Sequence, residues 1–272
     1  MEWTTPQSRR RVDEFRAVAP QSVAAFDMDG TLSPIVDDPA QARIHPEAAE
    51  VLVAFSEQVA ALAIVTGRPA AQAVDLGDLD TLADRLGDTP LVVLGQYGHE
   101  RWSALERRVI SPEPPEGLAR FAEDLPGLLE QAAASQAYVE HKGLAIAVHT
   151  RRLEDAPEAF ERLVTPLSDA AERHGLLVEP GRHVLEIRAT GADKGTAVRA
   201  LTEEFDARGF LFVGDDLGDI PAFEAVASLR DEVVAGLLVC AGSTEQSALR
   251  DLADVTVDGP EGVIAFVRHL LD

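Results

Sequence analysis

The sequence predicts a doubly wound α/β core, a parallel sheet covered by helices, into which a smaller α+β domain is inserted. Three observations lead to this fold class. Short apolar runs bounded by Gly, Pro or Asp alternate with stretches of helical period, a Pro-rich segment interrupts the alternation near residue 112, and the interval after it has a different order of elements. Alternating strands and helices favour right-handed crossovers, which place parallel strands side by side under helices.

The core strands are predicted from apolar runs at 23–26, 61–65, 91–95, 210–213 and 236–240. Such uninterrupted apolar runs are typical of strands that are buried on both faces of a parallel sheet. Helical periodicity occupies 46–58, 194–209 and 260–271, with Pro near the start of two of these stretches and Gly closing the middle one. We therefore predict one discontinuous core domain that is built from residues 1–111 and 191–272.

Residues 112–190 are predicted to form the inserted domain. The segment opens with the Pro-rich stretch "SPEPPEG" and continues as a helix to about residue 134. Two strand-like runs, "AYVEHK" and "LAIAVHTR", then flank Gly143 at hairpin distance. A second helical stretch and a second pair of strand-like runs follow. The order helix, hairpin, helix, hairpin is typical of a small α+β unit with an antiparallel sheet.

The chain is strongly acidic, with a formal net charge of −23 and an isoelectric point near 4.6. The resulting field opposes binding to nucleic acid or to an anionic membrane surface, so neither is expected as a partner. The first residues contain no apolar signal-like segment, and no run approaches the ~20 apolar residues of a membrane span. We therefore expect a cytoplasmic protein. The single Cys240 lies in an apolar run, which predicts a buried, inert thiol.

Two aspartates follow the first predicted core strand, in the stretch "AAFDMDGTLSP". Asp27 and Asp29 stand at the carboxyl end of the strand, where ligands bind in open α/β sheets. Neighbouring carboxylates repel each other unless a cation lies between them, and hard oxygen ligands suit Mg²⁺. A turn-forming role before Gly30 would explain Asp29 but not Asp27. The pair therefore predicts a magnesium site.

Polar residues also mark three later stretches. Thr66 follows a strand in "ALAIVTGRP", where its hydroxyl can donate to a phosphate oxygen. Lys194 stands at the start of a predicted helix in "GADKGTA". The helix dipole disfavours a cation at this end, so a lysine with only a surface role is a poor explanation. Asp215, Asp216 and Asp219 follow a strand in "FLFVGDDLGDIPAF", and a metal ion at the first motif needs a further carboxylate. These residues predict one site at the edge where the strands end.

In this order the four stretches resemble the motifs of haloacid dehalogenase superfamily phosphatases, with "DMDGTL" matching the DxDGT motif. The resemblance implies that Asp27 is the nucleophile and forms an aspartyl-phosphate. It implies that Asp29 is the acid and base, which protonates the leaving alkoxide and later takes a proton from water. Thr66 would donate to the phosphate, and Lys194 would hold the nucleophile and the phosphate oxygens as a point charge.

The same resemblance implies a Mg²⁺ cofactor, which Asp27, Asp215 and the backbone carbonyl of Asp29 would hold. The ion would neutralise charge on the transferred phosphoryl oxygens. Asp216 and Asp219 are expected to bind the ion or to support its ligands from outside. For at least one of them, capping of the following helix is the alternative.

The inserted domain corresponds to a C2-type cap of that superfamily, which closes over the site and excludes water. Within the superfamily, the chain most resembles trehalose-6-phosphate phosphatases, over almost its full length. The matching stretches are "FDMDGTLSPI", "IVTGR", "GQYGHE", "VEHKGLAIAVHTR", "EIRATGADKG" and "GDDLGDIPAF". The resemblance implies hydrolysis of trehalose 6-phosphate, a sugar phosphate as the small-molecule partner, and functional pairing with a trehalose-6-phosphate synthase.

In that family an E-x-K pair and a further Glu hold the sugar hydroxyls, and these residues correspond to Glu140, Lys142 and Glu186. Residues i and i+2 of a strand share a face, so Glu140 and Lys142 can point into one cleft. A cross-strand salt bridge on a solvated sheet face, worth ~0.2–1 kcal/mol, is the alternative. Of the 24 Lys and Arg residues, only Lys142 and Lys194 are lysine, and the rest are arginine. We therefore expect both sites to need a compact, rotatable point charge.

The chain departs from the family pattern at two places. Gly218 and Ile220 replace the Thr and Glu of the usual GDDxTDE motif, and Ala189 stands where a Pro is common. The aspartates of the motif remain, so the departure puts only a supporting role of the missing pair in question.

Two alternative functions stay open on the sequence. One is another C2-capped sugar phosphatase, acting on sucrose phosphate or mannosylglycerate phosphate. The other is a catalytically inactive relative that binds sugar phosphate as a regulator, although the intact motifs argue against it. Weaker candidate residues whose roles stay open are Arg68, Glu100, His149 and Arg151.

Overall fold

The computed structural model describes residues 1–36, 38–181, 183–232, 234–242 and 247–272. The chain divides into two compact units, of which the first combines Met1–Ser111 with Ala192–Asp272. The second unit is Pro112–Gly191.

The secondary structure alternates between strands and helices along most of the chain. The strands are β1 (Glu2–Trp3), β2 (Ser22–Phe26), β3 (Ala61–Val65), β4 (Leu91–Gly95), β5 (Glu100–Ser103), β6 (Val109–Ile110), β7 (Tyr138–His141), β8 (Ala145–His149), β9 (Leu176–Gly181), β10 (Val184–Ala189), β11 (Gly209–Gly214), β12 (Ala235–Cys240) and β13 (Val255–Thr256). The helices are α1 (Ser8–Val18), α2 (Pro46–Ser56), α3 (Ala70–Gly77), α4 (Leu79–Arg85), α5 (Glu116–Gln131), α6 (Ala156–Arg173), α7 (Lys194–Glu204), α8 (Ile220–Leu229), α9 (Ser247–Leu252) and α10 (Gly259–Leu271).

The first unit contains one sheet, whose described strands run in the order β1-β13-β12-β11-β2-β3-β4-β5-β6. The pairs from β13 through to β4 are parallel, whereas β1, β5 and β6 join as antiparallel edge strands. The chain leaves β2 toward β3 and β4 on one side, and later returns as β11 and β12 on the other. The strand order therefore reverses between β2 and β11, and ligands bind at such a switch point.

Helices cover both faces of this sheet, because successive side chains of a fully buried strand point to opposite sides. Phe26, Ile64 and Val213 face one apolar cluster, to which α1, α2, α3, α4 and α10 contribute. Phe210 and Phe212 face the other cluster, to which α7, α8 and α9 contribute. The predicted doubly wound α/β core is confirmed, with antiparallel edges that the apolar runs did not indicate.

The second unit is an antiparallel sheet with helices on one face. Its described strands run in the order β7-β8-β10-β9, and α5 and α6 pack against one side. Ile146, Val148, Leu185 and Ile187 point toward these helices and are buried. The predicted α+β unit is confirmed, and the opposite face of its sheet carries charged side chains together with Ala145 and Ala147.

Among the residues that the structure describes, no helix combines the length and the apolar character that crossing a bilayer requires.

Candidate active site

Lys194 is the first residue of α7, and its ammonium group lies between two carboxylates. Its Nζ atom is 2.9 Å from Asp27 Oδ1 and 2.6 Å from Asp219 Oδ1. The Lys194 side chain is only 4% exposed. Burial by itself would lower the pKa of Lys194, but the charges of Asp219 and Asp27 outweigh it and raise that pKa well above its usual value. Lys194 is therefore held as a buried cation.

The carboxylate of Asp219 is buried and fixes the loop that carries Asp215. Its Oδ1 accepts a hydrogen bond from Lys194 Nζ, and its Oδ2 accepts from the backbone N–H groups of Asp215, at 2.9 Å, and Asp216, at 3.2 Å. Both oxygens of Asp219 are thus engaged within the first unit. Asp216 is exposed, and its Oδ1 accepts from the N–H of Gly218 at 2.8 Å, which caps the short 3₁₀ turn before α8.

Asp27, Asp215 and Asp219 form an acidic cluster, in which one oxygen from each lies within 4.8 Å of the others. Burial raises the pKa of Asp27 well above its usual value, although Lys194 opposes the shift. Burial, reinforced by Asp219 and Asp216, raises the pKa of Asp215 to about 8. One ammonium group cannot balance three carboxylates at close range. When all three carboxylates are ionised, the cluster therefore carries surplus negative charge, which a further cation would offset.

The donor atoms of this cluster fit Mg²⁺, which prefers hard oxygen ligands such as carboxylates and carbonyls. Gly30 has a φ of +77°, and a Cβ atom at that position would lie 2.0 Å from Asp215 Oδ2. Only glycine therefore allows the Asp215 carboxylate to approach the loop after β2. The hydroxyl of Thr31 donates to Asp215 Oδ1 at 3.4 Å, a contact that the sequence did not predict.

Asp29 forms a two-pronged ion pair with Arg68. The Nε of Arg68 donates to Asp29 Oδ2 at 2.6 Å, and its Nη2 donates to Asp29 Oδ1 at 2.7 Å. The Arg68 side chain is 11% exposed and the Asp29 side chain 38% exposed. The role of Arg68 stayed open on the sequence, and the structure places its side chain in a salt bridge with Asp29.

A turn that follows β4 forms two backbone hydrogen bonds with the loop containing Thr66 and Arg68. The N–H of Gln96 donates to the carbonyl of Arg68 at 2.8 Å, and the N–H of Tyr97 donates to the carbonyl of Thr66 at 3.0 Å. Gln96 and Tyr97 both have a positive φ, of 49° and 60°. A Cβ atom at Gly67 would lie 2.9 Å from the Tyr97 ring. Sequence reasoning missed this turn, because neither left-handed residue is a glycine.

The Glu100 side chain accepts a hydrogen bond from the first residue of α3. Its Oε2 accepts the N–H of Ala70 at 2.6 Å, which satisfies a donor that the first turn of α3 leaves unpaired. Its Oε1 accepts from Ser111 Oγ at 3.4 Å. These contacts explain why a carboxylate is buried at this position.

The polar face of the second unit gathers the three residues that were expected to bind sugar. The register aligns Glu140 with Ala147, and Ala147 with Glu186 on the next strand. Lys142 lies two residues beyond Glu140, and its N–H donates to the carbonyl of Ala145, so the pairing with β8 continues to it. Glu140, Lys142 and Glu186 therefore share the face that points away from α5 and α6.

Lys142 and Glu186 form an ion pair that passes over the intervening strand β8. Their side chains are only 18% and 9% exposed. On this face β8 presents Ala145 and Ala147, whose small side chains leave room for the longer ones to meet. Oε1 of Glu186 is buried and has no hydrogen-bond partner among the described residues. The cross-strand ion pair considered as the alternative is thus present, but it is largely shielded from solvent.

His149 and Arg188 also lie on this face. Nε2 of His149 is 2.9 Å from Glu140 Oε2, and burial lowers the pKa of His149 although Glu140 opposes the shift. Arg188 is 6% exposed, and its Nη2 donates to Glu179 Oε2 at 3.0 Å. Sequence reasoning missed Arg188, although its position two residues from Glu186 in a strand would have indicated it. Arg151 lies exposed in the turn beyond β8.

Comparison with known proteins shows which family the chain belongs to. A family model described as trehalose-phosphatase matches residues 25–83 and 129–256, which is more than half of the chain. A trehalose-phosphate phosphatase of Mycobacterium leprae is 30% identical over 271 residues, which cover 93% of this chain and 58% of the relative. A protein of Mycobacterium tuberculosis described as an uncharacterized glycosyl hydrolase is 31% identical over 256 residues, which cover 90% of this chain and 18% of that protein. The chain thus spans less than two thirds of the length of either relative.

A solved structure has the same fold over nearly the whole chain. The C-terminal domain of trehalose-6-phosphate phosphatase from Candida albicans superposes with a TM-score of 0.78 at 19% identity. The match covers 99% of this chain and 98% of that domain. At this identity the likeness concerns the fold, which includes both the doubly wound core and the inserted α+β unit.

Proposed function

The chain belongs to the trehalose-phosphatase family and has the fold of haloacid dehalogenase-like hydrolases, and from this premise we propose that it hydrolyses trehalose 6-phosphate to trehalose and phosphate. The proposed reaction depends on Mg²⁺ and proceeds through an aspartyl-phosphate on Asp27. The observation that carries the proposal is the buried cluster in which Lys194 joins Asp27 to Asp219, next to Asp215.

The proposed reaction has two steps at phosphorus. In the first, a carboxylate oxygen of Asp27 bonds to phosphorus, the bond from phosphorus to the sugar oxygen breaks, and Asp29 gives that oxygen a proton. In the second, a water oxygen bonds to phosphorus while Asp29 takes its proton, and the bond to Asp27 breaks to release phosphate. Lys194 keeps the Asp27 carboxylate oriented and offers positive charge to the phosphoryl oxygens, and the Thr66 hydroxyl offers them a hydrogen bond.

The residues that would hold Mg²⁺ are Asp27, Asp215 and, through its backbone carbonyl, Asp29. When bound, the ion neutralises charge that develops on the phosphoryl oxygens. Asp219 supports this site from outside, because its oxygens are already committed to Lys194 and to the loop N–H groups. Asp216 contributes mainly the cap of the turn.

We assign sugar recognition to the second unit, as a cap domain. Glu140, Lys142 and Glu186 would bind the sugar hydroxyls, and the unpartnered, buried Oε1 of Glu186 supports this assignment. A buried acceptor without a donor costs about 1–3 kcal/mol, which a sugar hydroxyl would recover on binding. By the same family resemblance, the reaction takes place in the cytoplasm and uses the product of a trehalose-6-phosphate synthase.

The proposal is tested by phosphate release from a panel of esters in the presence of Mg²⁺. The panel contains trehalose 6-phosphate, sucrose 6-phosphate, mannosylglycerate phosphate and 4-nitrophenyl phosphate. We expect kcat/KM for the trehalose ester to exceed that for the other sugar esters by more than about tenfold. The variant Asp27→Asn should retain the fold, as judged by circular dichroism, and lose turnover of every ester because it lacks the nucleophile.

The same panel separates the alternatives. A smaller preference, or a preference for another sugar ester, would replace the trehalose assignment with a broader sugar phosphatase. Absence of turnover by the wild-type chain together with measurable sugar-phosphate binding would identify a regulator. Unchanged turnover by Asp27→Asn would eliminate the aspartyl-phosphate mechanism.

A further inference from the structure

We propose that Arg68 is a positioning residue for Asp29, and that the turn at Gln96 and Tyr97 holds Arg68 in place. The inference rests on the proposed function, since it concerns how Asp29 is aimed during proton transfer. Three sets of contacts lead to it: the ion pair between Arg68 and Asp29, the backbone bonds between the two loops, and the close packing of Tyr97 on Gly67.

The ion pair fixes the plane of the Asp29 carboxylate. Arg68 donates from Nε to one carboxylate oxygen and from Nη2 to the other, at 2.6 Å and 2.7 Å. A planar guanidinium in this arrangement matches a carboxylate at two points, so the carboxylate cannot rotate without losing a bond. An ionised carboxylate has about four lone-pair positions, of which the fork occupies two. Each oxygen of Asp29 therefore keeps one position at which a proton can be exchanged.

The backbone of Arg68 is itself immobilised by its neighbours. Its N–H donates to Thr66 Oγ1 at 3.2 Å, and its carbonyl accepts from the N–H of Gln96 at 2.8 Å. The Tyr97 N–H holds the carbonyl of Thr66, and the Tyr97 ring packs so closely on Gly67 that a Cβ atom there would lie 2.9 Å away. The Thr66 hydroxyl and the Arg68 guanidinium are thus positioned by one rigid loop.

The turn adopts an unfavourable backbone to make these contacts. Gln96 and Tyr97 are consecutive residues in the left-handed region, which costs a residue with a side chain roughly 1–2 kcal/mol. The left-handed conformation points both N–H groups at the Thr66–Arg68 loop. Strain of this kind persists where the surrounding structure imposes it, and it concentrates at functional sites. The strained turn here positions the Thr66 hydroxyl and the Arg68 guanidinium, two groups that the proposed reaction uses.

The inference predicts a dependence on the leaving group. A sugar alkoxide needs a proton from Asp29 as it leaves, whereas 4-nitrophenolate is stable enough to leave without one. Removal of Arg68 should therefore slow the sugar ester far more than the aryl ester. Removal should also have no further effect once Asp29 is gone, because Arg68 acts through that carboxylate.

The test is a double-mutant cycle on the full chain, with both esters and saturating Mg²⁺. We expect Arg68→Ala to lower kcat for trehalose 6-phosphate by about 10²-fold, with KM changed by less than about threefold. The loss on 4-nitrophenyl phosphate should be less than about fivefold. In an Asp29→Asn background, Arg68→Ala should cost less than about threefold more. Arg68→Lys keeps the charge without the fork and should lie between the wild type and Arg68→Ala.

Arg85→Ala is the matched control, because Arg85 forms an exposed ion pair with Glu50 on a helix that carries none of the proposed site residues. Equal losses on both esters, or a loss that adds fully to that of Asp29→Asn, would overturn the positioning role and would indicate that Arg68 contacts the phosphate itself. If Arg68→Ala does not fold, the cycle is completed with Arg68→Lys, for which the same two outcomes decide. An inactive wild-type chain would instead overturn the proposed function and the inference with it, whereas an active chain unaffected at Arg68 would overturn the inference alone.

Discussion

The two lysines of this chain lie in different units, and each contacts a different number of carboxylates. Lys194, in the first unit, contacts Asp27 and Asp219 and stands in a cluster that also includes Asp215. Lys142, in the second unit, is paired across a strand with Glu186. In the first arrangement one cation lies among three carboxylates, whereas in the second Lys142 is paired with the single carboxylate of Glu186. Both side chains are largely buried.

This difference indicates which ligand each region can accept. Burial and neighbouring carboxylates raise the pKa values of Asp27 and Asp215, and a bound metal ion would offset both effects. The ion pair of Lys142 and Glu186 has no net charge and does not require a further ion. Oε1 of Glu186, however, has no hydrogen-bond partner among the described residues, so it can accept from a ligand. Sugar hydroxyls are neutral groups that donate and accept, so they suit the second region. This contrast supports the proposed assignment of metal and phosphate to the first region and of sugar to the second.

The largest expected effect comes from Lys194→Met. The change leaves Asp27 and Asp219 without their buried counter-charge, so we expect kcat to fall by about 10³-fold or more on trehalose 6-phosphate and on 4-nitrophenyl phosphate alike. Loss of one partner from a buried ion pair should also lower the free energy of unfolding by about 3–5 kcal/mol. Steady-state kinetics and urea unfolding measure the two effects. If Lys194→Met hydrolysed the aryl ester at the wild-type rate, the assignment of Lys194 to the phosphate site would be wrong.

A smaller and more selective effect is expected from Lys142→Met, which is the matched control for the first substitution. A hydrogen bond to a charged group is worth about 1.5–3 kcal/mol, so kcat/KM for trehalose 6-phosphate should fall by about 10- to 100-fold. Hydrolysis of 4-nitrophenyl phosphate, which has no sugar, should stay within about twofold of the wild type. Lys142→Arg should show the same selectivity with a smaller loss. Equal losses on both esters would contradict the separation of the two regions.

The smallest expected effect is a pH-dependent stabilisation by Mg²⁺. Because the pKa of Asp215 is raised to about 8 in the folded chain, the folded state without metal loses stability as pH rises from about 4 to about 8. Bound Mg²⁺ requires the ionised carboxylate, so it should raise the melting temperature more at about pH 8.5 than at about pH 5.5. Differential scanning calorimetry with Mg²⁺ or with EDTA measures the shift. Asp215→Asn should abolish most of the difference between the two pH values, whereas Glu186→Gln should leave it unchanged.

Several parts of the site could be predicted because they depend on position along a strand. Apolar runs located the core strands, and parallel strands end at a common edge, so polar residues just beyond them were expected to meet. The structure brings Asp27, Lys194 and Asp215 together at that edge, as the motifs indicated. The alternation of strand residues likewise placed Glu140 and Lys142 on one face.

Other parts depended on contacts between distant segments. Arg68 and Asp29 are 39 residues apart in sequence, and they meet because β2 and β3 are neighbours in the sheet. The commitment of both Asp219 oxygens followed from the fold of the loop after β11, and so did the difference between Asp219 and the exposed Asp216. Residue spacing does not encode such pairings, because each depends on the rotamer and the burial of both partners.

Hydrophobic periodicity and strand alternation are local properties, so they were enough to predict the order of strands and helices, the acidic edge of the core and the shared face of Glu140 and Lys142. Three features exist only in the folded chain: the paired hydrogen bonds from Arg68 to Asp29, the strained turn at Gln96 and Tyr97, and the ion pair of Lys142 with Glu186 over two alanines. These features arise where separate segments pack against each other. Their energies come from desolvation and hydrogen-bond geometry, which exist only once the chain has folded.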